Sequence, residues 1–148
     1  MRRKNFLVLV FLLSGVWASA QTKTDMWGEF AKTKFEPKYY EKLGEYIFYP
    51  SFSNQLKALV GKEITLEGFY VPYAPEDGNY IILSKYPNNQ CFFCGVGGPE
   101  SVTEVFLKDT SLKFHVDDVV TVKGKLKLNT DDIDHMNFII TDAVIVKK

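Results

Sequence analysis

Residues 119–128, VVTVKGKLKL, alternate with a period of two. Val120, Val122, Gly124, Leu126 and Leu128 fall on one side, and Thr121, Lys123, Lys125 and Lys127 on the other. Extended backbone sends successive side chains to opposite faces, so this segment is a strand with one buried and one wet face. Such a strand needs hydrogen-bonded neighbours and a second apolar layer to be stable. The rest of residues 62–148 supplies both. KEITLEGFYVPY (62–73) places Ile64, Leu66, Gly68 and Tyr70 opposite Glu63, Thr65 and Glu67, and Pro72 ends the run. PEDGN (75–79) is a turn cluster, with Asp77-Gly78 a hairpin signal. YIILS (80–84) and SVTEVFL (101–107), rich in β-branched residues, read as two more strands. NTDDIDH then turns the chain into a fifth, MNFIITDAVIV (136–146).

Five short strands with no long helix between them predict an all-β, mainly antiparallel fold. Gly68 and Gly124 lie inside strands, where a small closed barrel needs bends or bulges. The expected architecture is a five-stranded OB-like barrel over residues 62–148; an SH3-like barrel or a small sandwich competes with it. The D-x-V-x-V-x-G-x-L rhythm from Asp118 resembles the fourth strand of many OB folds.

Upstream, residues 21–61 are aromatic and charged. Pro37 is placed to open a short helix through Lys42 that Gly44 would stop. Ser53 is placed to cap a second, Asn54 to Val60, ending at Gly61. Trp27, Phe30, Phe35, Tyr39 and Tyr40 would anchor the segment as a short helical N-terminal cover on the barrel. Residues 1–20 read as a signal peptide: Arg2, Arg3 and Lys4, an apolar run from Phe6 to Leu13, then Ala18-Ser19-Ala20 as a cleavage site. The expected location is periplasmic or secreted. The apolar run is shorter than the roughly 20 residues a membrane-spanning helix needs, and no transmembrane segment is expected in the mature chain.

The formal net charge is 0, falling to −3 once the three basic residues of the leader are removed. That balance gives no reason to expect nucleic acid, whose phosphates call for clustered Lys and Arg. Lys123, Lys125 and Lys127 make a stripe on the wet strand face, which serves solubility and blunts a sheet edge. The sequence holds no G-x-S-x-G, H-E-x-x-H or P-loop, and no enzymatic activity is expected. Tyr70, Tyr73, Tyr80 and Tyr86 are candidates for a ligand groove or for core positions.

The stretch with the most chemistry is CFFCGVGGPE, residues 91–100. Three fates are open to Cys91 and Cys94. In an oxidising compartment they can close an inert structural disulfide. They can bind zinc, because C-x-x-C-G resembles a zinc knuckle; two more ligands from His115, His135 or Glu100 would then complete the set, with Glu104 a further nearby carboxylate. The spacing C-x2-C-x20-H-x19-H is no familiar finger. They can also act as a thiol-disulfide oxidoreductase pair, although GVGGP supplies no helix to activate the first thiol. A c-type haem is excluded in its usual form because Gly95, not histidine, follows Cys94. His115, in KFHVDD, reads as a surface residue, and His135, with Asp131, Asp132 and Asp134, as part of a solvated turn.

Four stretches together resemble a family of small exported bacterial OB-fold-like proteins of unknown function: MWGEFAKTKF, YPSFSNQLKALVGKEITLEGFYVPY, CFFCGVGGPESVTEVFL and VTVKGKLKL. The similarity runs over roughly residues 26–146. It implies an exported, non-catalytic binding or accessory protein that partners an envelope transport system, with metal binding as a further implication. The family pattern maps onto Cys91, Cys94 and the turn from Gly95 to Pro99. The alternative is a structural protein-interaction module with an inert Cys91–Cys94 disulfide.

Overall fold

The computed structural model describes residues 24–74 and 79–148. The expected signal peptide and the Asp77-Gly78 turn lie outside those residues. Helix α1 (Met26–Phe30) is capped by Asp25, whose carboxylate accepts from the Gly28 N–H. Strands β1 (Lys34–Tyr40) and β2 (Glu45–Ser51) form an antiparallel hairpin. Helix α2 (Asn54–Lys57) is capped by Ser53, whose hydroxyl accepts from the Leu56 N–H, as the sequence leads one to expect, but it ends at Lys57 and residues 58–61 are turns, where the helix was expected to reach Val60. The chain leaves α2 through Gly61 at φ +76, a conformation open to glycine at little cost.

The helix expected from Pro37 to Lys42 is strand β1 instead. Phe35, Pro37 and Tyr39 pair with Pro50, Phe48 and Tyr46 across the hairpin, so an aromatic period of two overrides proline's preference for a first helical turn. A two-stranded ribbon leaves outward N–H groups unpaired at both edges, which is why it accepts two prolines. Gly44, at φ +68, closes the hairpin turn where it was expected to end a helix.

Five further strands, β3 (Glu63–Val71), β4 (Tyr80–Ser84), β5 (Val102–Leu107), β6 (Val119–Leu128) and β7 (Phe138–Lys147), close a barrel in the order β3-β4-β5-β7-β6. All neighbours are antiparallel except β5 and β7, which run parallel. Counting from β3, the order is first, second, third, fifth, fourth: an OB-like barrel. Its interior holds Leu66, Leu83, Val105, Val120, Val122, Leu126 and Ile140. One end is plugged by the N-terminal cover. The Phe30 ring stacks on Phe138 with centroids 4.2 Å apart, and Phe52 meets Phe138 edge-on at 5.7 Å. Burying each such side chain contributes about 1.5–3 kcal/mol. The Trp27 indole N–H donates to the Glu67 carbonyl at 2.7 Å, tying α1 to β3.

Gly124 marks a bulge. Lys123 pairs with Val144 and Lys125 with Thr141, so Asp142 and Ala143 both lie opposite one glycine. Asp142 adopts φ +54, and its carboxylate meets the Lys125 ammonium at 2.9 Å. A β-carbon on Gly124 would sit 2.7 Å from both the Ile140 Cγ2 and the Thr141 carbonyl oxygen. Among the described residues no helix is long and apolar enough to cross a membrane.

Candidate functional site

The barrel has a second, smaller apolar cluster on its outside. Val71, Ile82 and Val102 point outward from β3, β4 and β5, and the loop over residues 85–101 seats Cys91 against them. Met136, from the β6–β7 connection, and Tyr80 pack at its margin. The outer face of the second and third strands, with the loops beside it, is where OB barrels bind ligands. Here two arrays of reactive side chains flank that face.

The first array is the dithiol loop. The chain runs through three single 3-10 turns, Asn88–Gln90, Phe92–Cys94 and Pro99–Ser101. The Cys94 N–H donates to the Cys91 carbonyl at 3.1 Å, the Gly95 N–H donates to the Phe92 carbonyl at 2.9 Å, and Gly95 takes φ +77. This compact turn carries both sulfurs. Cys91 is buried and Cys94 exposed, and both are free thiols. Burial pushes the Cys91 thiol up; hydrogen bonds from the Phe93 and Cys94 N–H groups pull the other way, and contact with the Cys94 thiol adds to the rise. The Cys94 thiol donates to the Asn88 carbonyl at 3.0 Å, and its sulfur lies 3.9 Å from the Tyr73 hydroxyl. That hydrogen bond is the main cause pushing the Tyr73 hydroxyl up. The Tyr73 ring stacks on Phe93 at 4.3 Å, and Phe92 meets Phe93 edge-on.

The loop is tied down at both ends. Asp117 at φ +67 presents its carboxylate to the Asn88 N–H at 2.6 Å. The Ser101 hydroxyl donates to the Gly98 carbonyl at 2.7 Å.

The second array centres on Glu104, a β5 carboxylate only 2% exposed on the outer face. One oxygen accepts from the Met136 N–H at 3.0 Å; the other lies 2.9 Å from His135 Nδ1. The imidazole sits edge-on to the Tyr80 and Phe106 rings. A buried carboxylate that holds one ring nitrogen orients the imidazole and presents the other, Nε2, outward. Asn129 organises the same loop by donating to the carbonyls of Asp132, His135 and Met136.

The zinc ligands considered from the sequence are dispersed. Glu100 turns its carboxylate over Gly98. His115 is exposed and faces Asp118, with Nδ1 3.7 Å from that carboxylate. His135 is engaged by Glu104. Among the described residues no three His, Cys, Asp or Glu side chains gather to hold a metal ion. From the sequence, His135 is expected in a solvated turn or as a zinc ligand, and its pairing with Glu104 is not foreseen. The signal available for Glu104 was its place on the outer side of an apolar strand, between Val102 and Phe106. Of the tyrosines, Tyr73 and Tyr80 reach this face, whereas Tyr70 packs against the barrel core.

Beside the dithiol loop lies an open groove of about 300 Å³, lined by Tyr46, Ile47 and Phe48 of β2 and by Phe92, Pro99 and Met136 among others. Tyr46 and Phe48 are 73% and 66% exposed. Comparison with family models, curated proteins and solved structures finds no match to this chain.

Proposed function

We propose that this chain is an exported, non-catalytic binding module that docks an envelope protein, as the family resemblance implies, between the β1–β2 hairpin and the dithiol loop. The observation that supports this reading most is the groove between the hairpin and the dithiol loop. It gathers exposed aromatic side chains from two separate elements around a preformed depression. Exposed apolar surface of this kind marks association sites, and aromatic residues and Met are enriched at interface cores. The occupant is an apolar segment of the partner, because the depression is open and lined by rings. Photo-crosslinker placed at Phe48 in cells should yield one discrete adduct, and Tyr46→Ala with Phe92→Ala, which strips two rings from the groove, should weaken it. The same adduct from a crosslinker at Lys127, on the wet strand face, would defeat the reading.

A zinc-binding reading is favoured by one specific feature, the knuckle-like turn that puts the Cys91 sulfur beside the Phe93 and Cys94 N–H groups. The two cysteines supply half of a tetrahedral set, so in this reading the partner supplies the rest. Purified chain alone should then hold no stoichiometric zinc by native mass spectrometry, and the complex should hold it in a Cys91-dependent way. Zinc that stays on the Cys91→Ser complex would end this reading.

A further inference from the structure

We propose that Cys91 and Cys94 exchange disulfides with a partner protein, and that Cys94 is the sulfur that meets the partner while Cys91 resolves the mixed disulfide. This goes beyond binding. It also reverses the order expected from the sequence, in which the first thiol of C-x-x-C is the attacking one. The fold decides the order. Cys91 is sealed against Val71, Ile82 and Val102, whereas Cys94 is exposed. Gly95, next to it, puts no side chain beside the thiol, and a β-carbon built there would meet no atom of the rest of the chain within 4 Å. On another side Tyr73 and Phe93 form a flat apolar wall, suited to the chain around a partner's sulfur.

The chemistry balances within the pair and the partner. Cys94 gives up its proton, and its thiolate attacks one sulfur of the partner's disulfide. A Cys94–partner bond forms, the partner's S–S bond breaks, and the departing sulfur takes up a proton. Cys91 then loses its proton and attacks the Cys94 sulfur. The Cys91–Cys94 bond forms, the bond to the partner breaks, and the second partner thiol leaves. Two electrons and two protons pass from the dithiol to the partner's disulfide. The turn that binds the Cys94 N–H to the Cys91 carbonyl holds the two sulfurs together for the second step. Burial of Cys91 supports this direction of transfer: a pair whose thiolate is disfavoured is more readily oxidised.

The test uses the reduced full chain, glutathione disulfide as the probe, and intact mass as the readout. Wild type should lose two hydrogens and keep no adduct. Cys91→Ser should accumulate one glutathione on Cys94, and Cys94→Ser should react at least ~10-fold more slowly than Cys91→Ser. In urea the two variants should react alike, because the difference comes from the fold. Equal rates in the folded variants, a lasting adduct on wild type, or a rate difference that survives unfolding would each overturn the assignment. The probe needs no docking groove, so this outcome is separate from that of the crosslinking experiment.

Discussion

Replacing His135 with alanine strips one of the two partners from a carboxylate that the barrel wall has taken out of water. Among the described residues, Glu104 then keeps the Met136 N–H alone, at 3.0 Å. A hydrogen bond to a charged group contributes about 1.5–3 kcal/mol, and breaking a fully buried ion pair costs about 3–5 kcal/mol. The His135 side chain is 36% exposed, so water can replace part of what it supplied. The expected loss is therefore about 2–3 kcal/mol, between the exposed and buried limits. Urea unfolding at neutral pH, followed by the fluorescence of Trp27, measures it. The companion variant carries Glu104→Leu and His135→Leu together. Ile82 and Ile139 are the cross-strand partners of Glu104, so leucine extends an apolar row. That double variant should return to within about 1 kcal/mol of wild type, because replacing both members of a buried pair leaves no charge stranded. A His135→Ala cost under about 0.5 kcal/mol, or a double variant equal to the sum of its singles, would show no coupling and refute the reasoning.

Gly124→Ala should destabilise by about 2–3 kcal/mol in the same unfolding assay, because the clash is partly with backbone and β7 must move to relieve it; Gly61→Ala, which meets open space, should cost only about 1 kcal/mol for its positive φ. Lys125 hydrogen-bonds Asp142 and holds its carboxyl below the ordinary range. The stability that Asp142 contributes is present above the unfolded carboxylate pKa and is lost as pH falls through the lowered folded value. In Lys125→Ala the Asp142 titration, followed by NMR, should move up toward the ordinary range. Cys91 works in the opposite sense. Its folded pKa is raised, so its contribution is whole below the unfolded thiol pKa and is lost as pH rises through the folded one. Under reductant, wild type should lose stability relative to Cys91→Ala as pH rises above the ordinary thiol pKa of about 8.5, read from thermal melts.

The barrel was legible in the chain because alternation is a local property. Val122 and Leu126 each face inward because their own backbone is extended and their neighbours are polar, and no distant residue is needed to say so. The Ser53 cap and the bend at Gly124 were legible for the same reason: one residue type answers one backbone need. The helix expected from Pro37 to Lys42 is a strand because proline's helical preference is local too, while the cross-strand pairing of Phe48 with Pro37 that outweighs it appears only once two strands meet. The site depended on closure throughout. Glu104 and His135 stand 31 residues apart, Asn88 and Asp117 29, and Tyr73 and Cys94 21. Which thiol is buried follows from how the 85–101 loop lies on β3, β4 and β5. The sequence determined which faces turn inward, because backbone periodicity acts over a few residues. Which loops meet over the outer face was decided by the tertiary structure, because that contact is set by the register and curvature of five strands at once.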